Sequence, residues 1–438
     1  MIRARASTLV LLLAALLAAA SAQAATLTVT GTADPGSGQC TAAACTLRDA
    51  ISSAQFGDVI VFADSLGYPA TITLDGNQLL LDKDITILGA GADKLTIDAN
   101  QASRIFMVAN GATVTISGLK LVDGRIVGAA GPSFAGAPGD RAYGGAVAID
   151  SASALQILRC VLIRNEVAGG AGSDGPGPGD GGAAFGGAIE NAGTLMIGSS
   201  SLVDNHASGG PGGTDEVAGT AGGIGGAASG GAIHSAGPML VVNTQFLRNS
   251  ASGALGGAQV MEIGGDGGDA RGGAIASEDF VVLSQVTMMD NTAAAGAGQP
   301  GDLGSSAAGT AVANDIAATG TLLTRDSVFA SSGDAGSCDV ATTSAQGINF
   351  AADSSCGGDL QVADPRLQII DAVPAPIAFP HWGSPLIDAA ASCNDAFGET
   401  LADDARGVAR PLDADADGVA GCDIGAVESD ELFAGGFD

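Results

Sequence analysis

A four-residue turn recurs four times in this chain, and each time an asparagine follows at nearly the same distance. Gly144-Gly145-Ala146-Val147 leads to Asn165, Gly186-Gly187-Ala188-Ile189 to Asn205, Gly230-Gly231-Ala232-Ile233 to Asn249, and Gly272-Gly273-Ala274-Ile275 to Asn291. The second Gly precedes its Asn by 20, 18, 18 and 18 residues, and the Gly-Gly pairs stand 42, 44 and 42 residues apart. Fixed spacing inside a repeat, with variable material between repeats, is the signature of a solenoid. One coil cannot bury its own apolar face, so coils must stack. The segments between turns are short and rich in Val, Ile, Leu and Thr, as in residues 188–190, 194–197 and 201–203. That pattern predicts strands. Three short parallel strands per turn predict a right-handed coil of about 20–25 residues, with about 4.8 Å between coils.

The repeat period exceeds such a coil. The excess falls after each Asn, in Gly-dominated inserts at 166–185, 206–229 and 250–271. Their composition predicts loops without a packed core, projecting as neighbours from one side. Similar short runs precede the repeats between residues 58 and 116. Leu47, Ala50, Ile51 and Ala54 fall at helical spacing. A short amphipathic helix over 46–55 is therefore expected, laid across the open end of the stack. The repeats stop near residue 336. The remainder holds the only Trp and four of the seven Cys. The expected organisation is a signal peptide over 1–24, an N-terminal cap over 25–57, a parallel β-helix over 58–335 and a C-terminal cap or anchor-like module over 336–438. The fold class is all-β: a right-handed parallel β-helix with a short capping helix and a disulfide-containing C-terminal cap.

The signal is read from Arg3 and Arg5, the apolar stretch over 9–20 and Ala22-Gln23-Ala24 as cleavage site. No later segment reads as a membrane span. Cleavage removes two Arg and no acid, moving the formal charge from −30 to −32. Such a surface excludes nucleic acid and anionic lipid as partners, and it keeps an extended repeat protein soluble. Seven Cys in an exported chain predict disulfides. The preferred local pairs are Cys40 with Cys45, Cys338 with Cys356, and Cys393 with Cys422, leaving Cys160 as a buried thiol.

Stacking in register makes Asn165, Asn205, Asn249 and Asn291 a column of amides bonding one another and the turn backbone. The residues before them alternate in sign: Arg164, Asp204, Arg248 and Asp290. Stacked charges of opposite sign select register, which is a structural role. Three residues beyond the second Gly the column reads Ala148, Glu190, His234, Ala276, so Glu190 and His234 should meet across adjacent coils. Such a pair can do acid–base work or serve as one more cross-coil contact. The structural role is preferred for both ladders. A paired-carboxylate glycosidase would draw on Asp150, Glu190 and Glu278. A lyase would draw on Arg164, Arg248 or Arg325 as proton abstractor. Asp413, Asp415 and Asp417, followed by Gly418, match the start of a calcium loop, while the twelfth position is Ile424 instead of an acid. They are the candidate ligands of a structural calcium.

Together these pieces resemble bacterial secreted right-handed parallel β-helix proteins of the pectin-lyase-like fold. The Gly-Gly-Ala-Ile and Phe246-Leu247-Arg248-Asn249 elements resemble the repeats of polymorphic outer-membrane proteins, with Leu or Met replacing Phe in the other copies. Cys45-Thr46-Leu47-Arg48-Asp49-Ala50-Ile51 is similar to a CSLREA domain, with Asp49 in place of the usual Glu. Gly383-Ser384-Pro385-Leu386-Ile387-Asp388-Ala389, Asp404-Ala405-Arg406-Gly407, Arg410-Pro411 and Cys422-Asp423-Ile424-Gly425-Ala426-Val427-Glu428 resemble a choice-of-anchor Q domain. The resemblance spans nearly all the mature chain and implies export and surface association, without implying a reaction.

The expected function is adhesion or binding at the cell envelope of a bacterium, without catalysis, with the Gly-rich inserts as contacts. A polysaccharide or the envelope surface is the expected partner. The alternatives are a polysaccharide lyase or glycoside hydrolase using Glu190 and His234, and a passive spacer. Oligomeric state stays open.

Overall fold

The period of the Gly-Gly turns is the length of one complete coil. The computed structural model describes residues 24–133, 136–214, 221–259, 263–301, 304–331, 333–356, 364–372, 374–413 and 418–429. Val147, Ile189, Ile233, Ile275 and Ile316 are direct parallel neighbours from one coil to the next. All five are fully buried. One coil runs through Ala142–Tyr143, Val147–Ile149, Ala154–Leu158, Val161–Ile163 and Glu166–Ala168. The next repeats it at Ala184–Phe185, Ile189–Asn191, Thr194–Gly198, Ser201–Val203 and His206–Ser208. Pairing between these two coils is parallel in all five stacks. The stacks build one nine-stranded sheet, two five-stranded sheets and a 16-stranded composite. In the composite, Ile316–Arg325 pairs with both Ile275–Ser277 and Val281–Ser284 and so joins two faces. The fold is a right-handed parallel β-helix.

Strand alternation fills its interior. In Ala154–Leu158 the side chains of Leu155 and Ile157 point inward and are buried, as the two-residue period of a strand requires. Leu155 stacks in register on Val114 below and Leu195 above. At the N-terminal end the helix Leu47–Ser53 buries Leu47, Ala50 and Ile51. Thr46 caps it, and Asp49 returns the bond to complete a capping box. Thr26–Val29 pairs with Val59–Phe62, so the cap contributes the first strand of the stack.

The Gly-rich inserts depart from expectation. They do project as neighbours from one side, but their described residues are bonded and packed against one another. Coils near the N-terminus take 24 to 29 residues, as in Thr96↔Lys120 and Ile85↔Val114. From residue 128 onward each coil adds a Gly-rich excursion. Residues 128–141 and 295–310 are two further members of the set. Gly169, Gly172 and Gly175 donate their N–H groups to the carbonyls of Ser208, Pro211 and Thr214 in the next coil, each at 2.9 Å. Bonds at every third residue, where a strand bonds at every second, are the geometry of an extended three-residue helix. A second series ties the two legs of the excursions together. Gly170 donates to Asp140, Gly182 to Gly170, Gly210 to Gly182, Gly226 to Gly210, Ala254 to Gly226, Gly268 to Ala254 and Gly296 to Gly268, at 2.8–3.0 Å. Backbone meets backbone here: a Cβ on Gly210 would lie 1.9 Å from the Gly170 carbonyl oxygen. The excursions form a two-layered plate, with Ala142, Val167, Ala184, Ala207, Ala228 and Ala251 as a small core at its base. Neighbouring copies supply the packing that one copy lacks, as they do for the strands.

The solenoid also runs past residue 335. Cys338–Gln346 pairs with Ile316–Arg325, and Phe350–Ala351 pairs with Val328–Phe329. The Cys338–Cys356 disulfide therefore closes the last coil, Cys40–Cys45 lies in the N-terminal cap and Cys393–Cys422 in the C-terminal module. That module contains the hairpin Leu367–Ile370 with Ile377–Pro380. It turns back along the flank of the solenoid far enough for Lys120 Nζ to reach the Pro374 carbonyl at 2.9 Å. Cys160 is a buried free thiol, pushed up to about 12 by burial. No helix among the described residues is long and apolar enough to cross a membrane.

Candidate functional site

The register Ala148↔Glu190↔His234↔Ala276 places two titratable groups side by side on the outer face of one sheet. His234 Nδ1 lies 2.9 Å from Glu190 Oε2, and Nε2 lies 3.7 Å from Glu278 Oε1. The His234 side chain is 8% exposed and Glu190 13%, whereas Glu278 is 64% exposed. Phe185 covers the imidazole edge-on at 4.9 Å, and Tyr143 stacks on Phe185 at 5.3 Å. Arg104 closes the side near Glu190, donating to the carbonyls of Gly144 at 2.8 Å and Tyr143 at 2.6 Å. Burial lowers the Arg104 pKa and the Glu190 charge opposes that. The imidazole is bracketed by two carboxylates and roofed by an aromatic ring. It offers little open face to a polymer.

Asp150 is not part of this cluster. It accepts the N–H groups of Asn110 at 2.8 Å and Ala152 at 3.1 Å and holds a turn. Tyr143 and Phe185 escaped the sequence reading. Their signal was an aromatic residue directly before the Gly-Gly pair in two successive repeats.

The amide column is continuous. Asn165 Nδ2 donates to Asn205 Oδ1 at 2.9 Å, Asn205 to Asn249 at 2.9 Å and Asn249 to Asn291 at 3.0 Å. Each acceptor oxygen also takes the backbone N–H of the Asn below. All four are fully buried. The last amide, Asn291, donates to Asp315 Oδ1 at 3.0 Å. Ser331 supplies that carboxyl with its hydroxyl and its N–H. Burial nevertheless pushes Asp315 up to about 7. Beside the amides, Arg164 pairs with Asp123 at 2.7 Å and Arg248 with Asp204 at 2.8 Å. The charge column thus starts one coil earlier than the repeats suggested. Asp123, Arg164, Asp204, Arg248 and Asp290 all have φ between 52° and 56°. They share a left-handed turn. All three candidate lyase bases are in ion pairs, Arg325 with Asp326 at 3.4 Å. Arg325 also binds the C-terminal module through the Asn394 carbonyl at 3.0 Å and Ser392 Oγ at 2.8 Å.

Of the candidate calcium ligands, Asp415 and Asp417 lie outside the described residues. Asp413 Oδ2 accepts the Gly418 N–H at 3.0 Å. Two hollows lie among the described residues. A cavity of about 240 Å³ is lined by Asp123, Arg125, Arg164, Glu166 and His206. Arg125 and Glu166 pair there at 3.3 Å, and His206 Nδ1 lies 2.7 Å from Ser250 Oγ. A larger groove of about 920 Å³ runs between the solenoid and the C-terminal module.

No protein-family model matches the chain, and no curated protein sequence matches it. The solved structures similar to it include two lyases. One is pectate lyase Pel9A, at 11% identity over 93% of this chain and 97% of that one, with a TM-score of 0.32. The other is AlyGC, an alginate lyase of family PL6, at 12% identity over 81% of this chain and 55% of that one, with a TM-score of 0.20. Neither carries a residue assignment to this chain, whose fold rests on its own strand register.

Proposed function

We propose that this is an extracellular or outer-surface protein that binds a polysaccharide or the cell-envelope surface without catalysis, and that the Gly-rich plate is its contact element. The observation that carries the reading is the coil-to-coil bonding of the excursions at every third residue. Such order holds the excursions as one fixed face, which a binding surface can use. The column Val127, Ala168, Ser208, Ser252 and Ala294 on one layer, in register through the sheet, has no charge. In a chain of net charge −30, an uncharged column is a place where another surface can approach with less repulsion, although Arg125, Glu166 and His206 stand two residues earlier on the same face. Three disulfides suit an oxidising compartment.

The test replaces the five excursions with turns as short as those of the N-terminal coils. Purified protein is then passed over insoluble polysaccharides and isolated envelopes, with and without Ca²⁺. Wild type is expected to be retained and the plate-less protein to pass through. Equal retention would sink the plate reading, and no retention of either would favour a spacer. The Glu190–His234–Glu278 cluster supports a second reading, a carbohydrate-active enzyme. New reducing ends or unsaturated uronate from any polymer, abolished in Glu190→Gln, would replace the binding reading with that one.

A further inference from the structure

Gly118, Arg159, Ser199, Asn243 and Gln285 occupy the same position in five successive coils. Each donates its N–H to the equivalent carbonyl of the next coil, and each has φ between 48° and 64°. The column then meets two fates. At Asn243 and Gln285 the C-terminal module sits directly on it. Asn243 Nδ2 donates to the Asp403 carbonyl at 2.7 Å, and the Arg410 guanidinium bridges Gln285 Oε1 at 2.7 Å and Asn243 Oδ1 at 3.2 Å. Lower down, Gly118, Arg159 and Ser199 are left as the floor of the groove of about 920 Å³. Its walls come from residues 89–93 of the solenoid and from 374–377 and 400–407 of the module. The floor crosses three coils, about 10 Å at the spacing of paired strands, and the lining as a whole extends from Gly89 to Asn243.

We propose that this groove is a binding site for one strand of a neutral oligosaccharide, separate from the plate. The lining offers both signs of charge, with Asp93, Asp403 and Asp404 against Arg159 and Arg406. Arg406 is anchored, paired with Asp404 at 2.7 Å and stacked over Phe379 at 5.5 Å. The Arg159 side chain is exposed and forms no hydrogen bond or ion pair with the described residues. A polyanion would meet three carboxylates and the field of a chain at −30. A peptide has no strand edge to join, because Val161 at the floor is already paired on both sides, with Lys120 and Ser201. Nor do the small floor residues Gly118, Ser117 and Ser199 form side-chain pockets. Hydroxyls recur along the floor at Ser117, Ser199 and Ser201, and small apolar groups stand on the wall at Ala375, Ile377 and Leu401. Hydroxyl-bearing rings donate and accept at every unit and present apolar faces, so a sugar strand uses both kinds of lining. A groove of this size at a junction of two modules is in the range of ligand sites.

Calorimetry with cellohexaose, xylohexaose, maltohexaose and hexagalacturonate tests the site. Two variants come from opposite walls. Arg159→Asn removes the guanidinium and keeps a residue that tolerates the left-handed backbone. Thr400→Trp fills the groove from an exposed position on the module. At least one neutral hexasaccharide is expected to bind, and each variant to weaken it by about tenfold or more. The plate-less protein should bind that sugar like wild type, and Thr400→Trp should keep its retention on envelopes, so the two sites fail independently. Absence of binding by all three neutral sugars, tighter binding of hexagalacturonate, or unchanged affinity in both variants would overturn the assignment.

Discussion

Asp315 ends the amide column because the last Asn must give its protons to something. Asn291 Nδ2 donates to it, and so do the hydroxyl and the N–H of Ser331. A carboxyl at this depth is held partly neutral, with its pKa raised to about 7 by burial. A carboxyl raised in the folded state stabilises the fold fully below its unfolded value, near 3.8, and loses that contribution as pH rises through about 7. Asp315→Asn keeps an acceptor for Asn291 and removes the charge. The melting temperature of wild type should therefore fall more between pH 5 and pH 8 than that of Asp315→Asn, by circular dichroism. Asp423, raised to about 7 in the module, keeps its own share of the slope in both proteins. An equal fall in the two proteins would show that Asp315 is not a source of the pH dependence. The amide column itself was readable from the chain, because one residue type recurs at one spacing. Asp315 was not, because it joins the column from 24 residues away through a turn that breaks the repeat.

At the scale of the element, the Gly-rich excursions decide the shape of the molecule. Gly and Ala cannot build a core from side chains, and composition alone assigns them to solvated loops. What it omits is that two glycine backbones can approach closely enough to bond directly, and that each coil supplies the next with a partner. Gly210 stands between Gly182 and Gly226 in the cross-layer series. Gly210→Ala would force its Cβ against the Gly170 carbonyl oxygen. Loss of hydrogen-exchange protection is expected over 169–183 and 221–227, with the strands Val161–Ile163 and Ser201–Val203 unchanged. Ala183→Ser, on the accessible side of the plate, should leave protection as it is. Exchange in wild type as fast as in a free chain would mean that the plate does not form. The column holding Glu190 and His234 was legible by alignment of repeats. Phe185, which roofs His234, comes from the base of the plate, and its approach follows only once the plate is in place.

The whole molecule is a solenoid with a module fastened along its side. Arg410 is the fastening. Its guanidinium is fully buried, 3.0 Å from the buried Glu428, and it reaches across to Asn243 and Gln285. Gln245 adds a two-way contact with the Ala378 backbone. Arg410→Leu would strip Glu428 of its partner and the solenoid of its bridge, at a cost of about 3–5 kcal/mol to the docked arrangement. Limited proteolysis should then cut between the solenoid and the module, while the solenoid strands keep their circular dichroism. A variant as resistant as wild type would show that the apolar contacts around Val328, Phe350, Leu386 and Ile424 hold the module without the ion pair.

Repetition made the solenoid legible. Apolar residues recurring at one spacing can be buried only by stacking, and each stacked column follows from counting. Local pairs, such as the capping box of Thr46 with Asp49, needed only neighbours in the chain. The plate, the roof over His234, the end of the amide column and the groove beneath the module depend on contacts whose partners do not repeat. Asn243 meets Asp403 across 160 residues, and Lys120 meets Pro374 across 254. Nothing in the periodicity of either segment encodes such a meeting. It is decided when the coils are stacked and the module finds the one flank whose polar side chains match its backbone.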